Sequence, residues 1–209
     1  IVYSPTGLQE LYEYTKKAFH TAWKYRFPTF ILTDGYTTKL RGEVEFNSNY
    51  TNKIKTTELF GAEDEYINYR NCFEYEEEIY ELNKNLAKDF NKAWSSVEEH
   101  EVYPAKPKAK LDCLIIAHGI VGLSAKAAID QITDKKVALF RPITLRPFPE
   151  KSLRELAKDA KKILIVESAT NQLMRLVKES LYGLTTPIIN ISKPGLGIYP
   201  EEIIKILKK

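Results

Sequence analysis

The apolar positions fall into two regimes along the chain. From Leu8 they recur at Leu11, Tyr12, Thr15, Ala18, Phe19, Ala22 and Trp23, the three-and-four spacing of an amphipathic helix that ends before Pro28. Thr29-Phe-Ile-Leu-Thr33 then reads as a short strand bounded by Pro28 and Asp34-Gly35, with Asp34 at its carboxyl end, where open α/β sheets place ligand crevices. Residues 36–72 show no sustained period. Helical spacing returns over Phe73–Val97, with Ile79, Leu82, Leu86, Phe90, Ala93, Trp94 and Val97 on one stripe; Glu76, Glu77 and Glu78 at its start suit the positive end of the helix dipole.

Beyond residue 110 the pattern changes to short, almost continuous apolar runs, each followed by a helical stretch. Leu111–Ala117, Lys136–Phe140, Ile163–Val166 and Pro187–Ile191 predict buried strands; Ser124–Ile132, Lys151–Ala160, Asn171–Leu181 and Pro200–Leu207 predict the helices between and after them. This alternation predicts an α/β fold with an open, mostly parallel sheet covered by helices on both faces. Pro104-Ala-Lys-Pro-Lys-Ala-Lys110 holds two prolines and three lysines and reads as the linker between the halves. Residues 110–209 are expected to fold on their own.

Composition sharpens the division. Residues 1–103 carry a net charge of −6 and residues 104–209 a net of +9, and 20 of the 24 aromatic residues precede residue 104. The overall net of +3 is too small for a nucleic-acid footprint. No apolar run approaches the roughly 20 residues of a membrane span. Cys72 and Cys113 form no CxxC pair and cannot supply the four thiolates of an iron–sulfur cluster or a structural zinc site, so no metal ligand is assigned.

Candidate chemistry is sparse. His20 lies within the first helix and His100 in an acidic stretch; His118 follows a strand directly, in Ala117-His-Gly-Ile120. No nucleophile-elbow, zinc-protease or P-loop motif occurs, and Gly119-Ile-Val-Gly122 reads as a strand-to-helix turn or an incomplete phosphate loop. The candidate cofactor-contacting residues are Asp34, Gly35, His118 and Gly119, and no catalytic residue is assigned. The segment Phe140-Arg-Pro-Ile-Thr-Leu-Arg-Pro-Phe-Pro149 is extended by its three prolines. It either presents Arg141, Thr144 and Arg146 outward at a subunit or domain interface, or serves as a rigid connector.

The order of Tyr25-Arg-Phe-Pro28, Leu32-Thr-Asp-Gly35, Ile115-Ile-Ala-His-Gly119, Leu139–Pro149, Ile165-Val-Glu167 and Gly195-Leu-Gly-Ile-Tyr-Pro-Glu-Glu202 resembles the alpha subunit of thiamine-diphosphate-dependent 2-oxoacid:ferredoxin oxidoreductases. The arginine-proline block through Pro149 is the specific part. The resemblance implies that residues 1–46 end a pyrimidine-binding domain, that 47–109 form a crossing segment with a long amphipathic helix and the linker, and that 110–209 form a transketolase C-terminal-like domain.

It further implies a cytoplasmic, oligomeric complex that oxidatively decarboxylates a 2-oxoacid to its acyl-CoA. Beta and other subunits, ferredoxin and coenzyme A would take part, with no nucleic acid and no membrane. Thiamine diphosphate with Mg²⁺ and the iron–sulfur clusters would serve the whole complex, none being bound by this chain alone, and this portion would be scaffold and subunit interface. Pyruvate, 2-oxoglutarate, branched-chain and aryl acids all remain open as substrate. The family usually has Gly-Ser where this chain has Gly119-Ile120, and the acidic, tyrosine-rich stretch 56–80 has no close counterpart in it. Two other readings stand beside this one: the last domain of a transketolase or of a 2-oxoacid dehydrogenase beta chain, and a non-catalytic α/β subunit-docking module.

Overall fold

The computed structural model describes residues 1–46, 72–107 and 110–208. Most of the tyrosine-rich stretch, residues 56–71, and positions 108–109 of the expected linker lie outside them. Two sheets organise the described residues. The larger has the order β3-β5-β4-β7-β8, formed by β3 (His100–Tyr103), β4 (Cys113–Ile116), β5 (Val137–Pro142), β7 (Ile163–Glu167) and β8 (Ile188–Ser192). Its four later strands are parallel, because α3 (Gly119–Asp130), α4 (Glu150–Lys158) and α5 (Gln172–Ser180) return the chain between them.

Side-chain alternation along β4 explains both layers. Cys113, Ile115 and Ala117 face α3 and α6 (Pro200–Leu207), where Val121, Ala125, Ile203 and Leu207 close one core. Leu114 and Ile116 face the opposite way, against Leu153 and Ala157 of α4 and Leu173 and Val177 of α5. Burial on both faces is the reason these strands lack a polar alternation.

The smaller sheet, β2-β1-β6, pairs β1 (Val2–Tyr3) in parallel with β2 (Phe30–Ile31) and antiparallel with β6 (Thr144–Arg146). α1 (Gly7–Tyr25) and the carboxyl end of α2 (Glu76–Val97) pack on it through Tyr3, Ala18, Val97 and the half-buried Tyr14, Tyr25 and Phe90. The buried face of α1 is therefore not the one the apolar spacing indicated. Tyr3 packs tilted against Tyr14 with ring centroids 5.4 Å apart, and its hydroxyl lies 3.1 Å from Thr21 Oγ1, which turns Phe19 and Trp23 outward.

Three further differences from the sequence reading follow from pairing. β3 lies in an acidic stretch before the expected linker, yet it pairs antiparallel with β5 from His100↔Pro142 to Tyr103↔Leu139, so the large sheet begins before Pro104. The proline-rich segment is extended, but it carries the chain from β5 directly into β6 and so stitches the two sheets together. Helix α3 starts at Gly119, five residues before the expected Ser124, so the supposed Gly119–Gly122 turn is the first turn of that helix.

Candidate functional site

Strand order locates the site. The chain leaves β4 toward β5 on one side and later returns to β7 on the other, so the loops after β4 and β7 diverge to opposite faces. The carboxyl ends of such a pair form the crevice where open α/β sheets bind ligands. Here the crevice is a cavity of about 290 Å³, walled by His118, Gly119, Ile120 and Val121 after β4, by Glu167, Ser168 and Ala169 after β7, and by Ser4, Leu32, Thr33 and Asp34 from the small sheet.

His118 is the residue preceding α3, and its Nδ1 lies 2.8 Å from Ser4 Oγ. Burial first, and then the positive charge of Arg141, push its pKa down to about 4. The imidazole is therefore neutral at physiological pH. Thr6 Oγ1 donates to the Gly119 carbonyl at 2.5 Å, which fixes the turn at Gly119, whose φ of +55° glycine adopts without strain.

The two carboxylates at the cavity are already committed. Asp34 accepts from the Tyr36 and Thr37 amides at 3.0 and 2.8 Å and from Thr37 Oγ1 at 2.8 Å. Glu167, which is 2% exposed, accepts from the Leu173 and Met174 amides at 2.9 and 3.2 Å and so caps the start of α5 from the preceding strand. Neither is placed as a general base, and Ser4 is buried at 1% exposure. The cavity offers hydrogen bonds and shape, but no assembled acid, base and nucleophile among the described residues.

The structure thus brings Asp34, His118 and Gly119 together. Gly35 is exposed outside the cavity wall, and a Cβ added there would meet nothing within 4 Å. Glu167 was missed as a site residue. Its signal in the sequence is a lone carboxylate ending the apolar run Ile163-Leu-Ile-Val-Glu167 just before a helix.

Of the arginines expected to point outward at a subunit or domain interface, Arg141 instead lies buried at the junction between α1 and the large sheet. Arg141 is 2% exposed: its Nη1 and Nη2 donate to Glu10 of α1 at 3.0 and 2.7 Å, and its Nε donates to Glu101 of β3 at 2.6 Å. Lys126 of α3 completes the chain at 2.6 Å from Glu101. Burial alone would raise the Glu101 carboxyl, but the hydrogen bonds from Lys126 and Arg141 hold it below its usual range. Thr144 is fully buried, and its Oγ1 accepts from the Glu99 amide at 2.9 Å. Only Arg146 is exposed, with its guanidinium 5.3 Å from the Phe90 ring centroid. Gly122 is explained by the same arginine: a Cβ there would lie 3.0 Å from Arg141 Cδ.

Residues 111–203, the span from β4 into α6, match the family model described as pyruvate:ferredoxin oxidoreductase core domain II. The chain is a relative of 2-oxoacid:ferredoxin oxidoreductase subunits. It is 31% identical over 184 residues to the ketoisovalerate oxidoreductase subunit VorB of Methanothermobacter marburgensis, covering 85% of this chain and 51% of that protein. To the 2-oxoglutarate synthase subunit KorA of Methanocaldococcus jannaschii it is 25% identical over 231 residues, covering 97% of this chain and 62% of that one. The chain therefore spans about half to three-fifths of the length of these relatives. In fold it is similar to 2-oxoglutarate:ferredoxin oxidoreductase from Magnetococcus marinus, with a TM-score of 0.75 and 17% identity over 100% of this chain and 41% of that one.

Two predictions arise at this site. His118 stays neutral in the folded protein while its unfolded counterpart titrates near pH 6.5. Above pH 6.5 neither state binds the proton; as pH falls from there to about 4, the unfolded chain takes it up and the folded one does not, so stability falls, by on the order of 3 kcal/mol. Urea titrations of the protein and of His118→Gln across that window should show the wild type losing this increment and the variant lacking it. An identical pH slope in both would exclude His118 as its source. In the second, Glu167→Gln removes one charge-assisted acceptor from the α5 amides and should cost about 1 to 3 kcal/mol in the same titrations at neutral pH.

Proposed function

We propose that this chain is part of a subunit of a 2-oxoacid:ferredoxin oxidoreductase, in which it forms the framework and subunit-facing portion rather than the reacting centre. The observation that carries this is the core-domain match over residues 111–203, which coincides with the four parallel strands and the crevice at their switch point. The overall reaction is oxidative decarboxylation of a 2-oxoacid to its acyl-CoA, with the electrons passed to ferredoxin. Bound thiamine diphosphate supplies the carbon nucleophile and the electron sink for such a decarboxylation.

The described residues of this chain do not fit the metal groups of that reaction. Among the described residues no three His, Cys, Asp or Glu side chains come together as a metal site. Burial in the sheet raises the Cys113 thiol to about 11, and two cysteines fall short of a cluster's thiolates. On this reading the clusters and the diphosphate-bound Mg²⁺ are assigned to other polypeptide. What this chain supplies is shape: Glu167 and Asp34 fix the loops around the crevice, and Arg141 fixes the small sheet against the large one. No described helix is long and apolar enough to cross a membrane.

Co-expression with the remaining subunits tests the reading. The purified complex should be brown and should reduce ferredoxin with coenzyme A and one of pyruvate, 2-oxoglutarate, 3-methyl-2-oxobutanoate or an arylpyruvate. A colourless oligomer inert toward all four, or co-purification with a lipoyl acyltransferase core, would reject it.

A further inference from the structure

The two edges of the large sheet are finished differently. β3 closes one of them, with Glu101 tied to Arg141 and Lys126 within the strand and Pro104 directly after it. Charge and proline are the usual protections of an edge against the arrival of another strand. β8 forms the other edge with Ile188-Ile-Asn-Ile-Ser192, five residues without a charge or a proline. Two bonds fix which way its backbone points. Ile163 N donates to the Pro187 carbonyl at 2.8 Å and Lys193 N to the Glu167 carbonyl at 3.1 Å, so positions 187, 189, 191 and 193 turn their polar groups toward β7. The amides and carbonyls of Ile188, Asn190 and Ser192 therefore point outward, and no described residue bonds to them.

The side chains of this strand are unfinished in the same places. Ile191 packs into the core beneath α3 and α6, yet Ile189, two positions back on the same face, is 40% exposed. On the opposite face Asn190 Nδ2 donates to Asn171 Oδ1 at 2.6 Å, while Asn190 Oδ1 is buried with no hydrogen-bond partner among the described residues. A buried acceptor left unpaired in the middle of an open edge calls for a partner.

We propose that this edge pairs with the same edge of a second copy of the chain, the two β8 strands running antiparallel about a two-fold axis at Asn190, so that the two large sheets become one. That register opposes Asn190 to its own copy and Ile188 to the second copy's Ser192, and these are the positions with outward backbone groups. Ile189 then faces the second copy's Ile191 at the closely spaced, non-bonded positions of the other face, which covers the exposed isoleucine. An asparagine amide set against its own copy is donor to acceptor in both directions, which gives the orphan Oδ1 a partner. Charge favours a second copy as well. α6 starts at the carboxyl end of the sheet, where Lys193 Nζ meets Glu202 at 2.9 Å, and finishes at the amino end, where Lys135 Nζ bonds the Leu207 carbonyl. Its first turn is acidic, with Glu201 and Glu202, and its other end carries Lys205 and Lys208. The two-fold sets one α6 antiparallel to the other on the same face, so the acidic end of each lies toward the basic end of the other. The contact is isologous and closes at two copies.

Disulfide trapping in the full chain reads the register, in a Cys72→Ser background that removes the exposed native thiol. Asn190→Cys should cross-link to a dimer on mild oxidation, since its Cα–Cα spacing across the axis is about 5.5 Å, within the range of a disulfide. Ile188→Cys alone and Ser192→Cys alone should not cross-link, because each lies roughly 13 Å from its own copy along the antiparallel pair. An equal mixture of those two should cross-link. By sedimentation equilibrium the wild type should be dimeric. Ile189→Lys, which sets a lysine against the second copy's Ile191, should raise the dissociation constant by about tenfold or more while circular dichroism stays that of the wild type. A monomeric wild type, cross-linking by Ile188→Cys alone, or an Ile189→Lys protein as dimeric as the wild type would each overturn the proposal. Cross-linking of Asn190→Cys to a different subunit in the co-expressed complex would also overturn it, in favour of that subunit as the source of the added strand.

Discussion

Replacing Arg141 by methionine should lower the stability of the folded chain by about 3 kcal/mol, whereas Arg146→Ala should cost about 1 kcal/mol or less. The two arginines lie five positions apart in one proline-rich segment, and their surroundings decide the difference. Arg141 is 2% exposed and pairs with two carboxylates, one from each side of the junction between α1 and β3. Removing it leaves Glu10 and Glu101 facing one another. Breaking a buried pair costs about 3 to 5 kcal/mol, and the low end applies because the carboxylates keep 28% and 30% side-chain exposure. For a chain of this length the loss corresponds to roughly 6 to 12 °C in Tm. Arg146 gives up only a cation–ring contact at the surface. Adding Glu10→Gln and Glu101→Gln to Arg141→Met should recover part of the loss, since the three groups act as a unit. Equal melting temperatures for the Arg141 and Arg146 variants would mean that the buried network contributes nothing.

That contrast marks where the sequence is readable. Runs such as Leu114-Ile-Ile-Ala117 and Ile163-Leu-Ile-Val166 announce strands because burial on both faces removes every polar position from them. β1, β3 and β6 are two to four residues long, too short for any period, and exist because of partners far along the chain. The fate of a charged side chain is equally non-local. Arg141 reads as an outward donor until Glu10, 131 residues away, is seen beside it. Asp34 and His118 were legible as site residues because strand ends are positions the pattern fixes. The hydrogen bonds that commit Asp34 and Glu167 to backbone amides depend on turn geometry that composition does not carry.

The start of the independently folding piece follows from the same pairing. A fragment of residues 98–209 should melt cooperatively, and one of residues 110–209 should not. β3 lies in residues 100–103, and its full register with β5 satisfies the outer edge of that strand. Val102 and Tyr103 pack against the two cores on either side of the sheet, and burying each contributes about 1 to 3 kcal/mol. Glu101 is the one carboxylate left to Arg141 once α1 is gone. The shorter fragment therefore exposes the edge of β5, loses both apolar contacts and leaves the Arg141 guanidinium without either carboxylate. Against a total stability of about 5 to 15 kcal/mol, those losses together remove most of what a fragment of this size retains. Thermal melts followed by circular dichroism distinguish the two fragments directly. A sharp transition for residues 110–209, at the temperature found for 98–209, would show that the four parallel strands stand without their antiparallel edge.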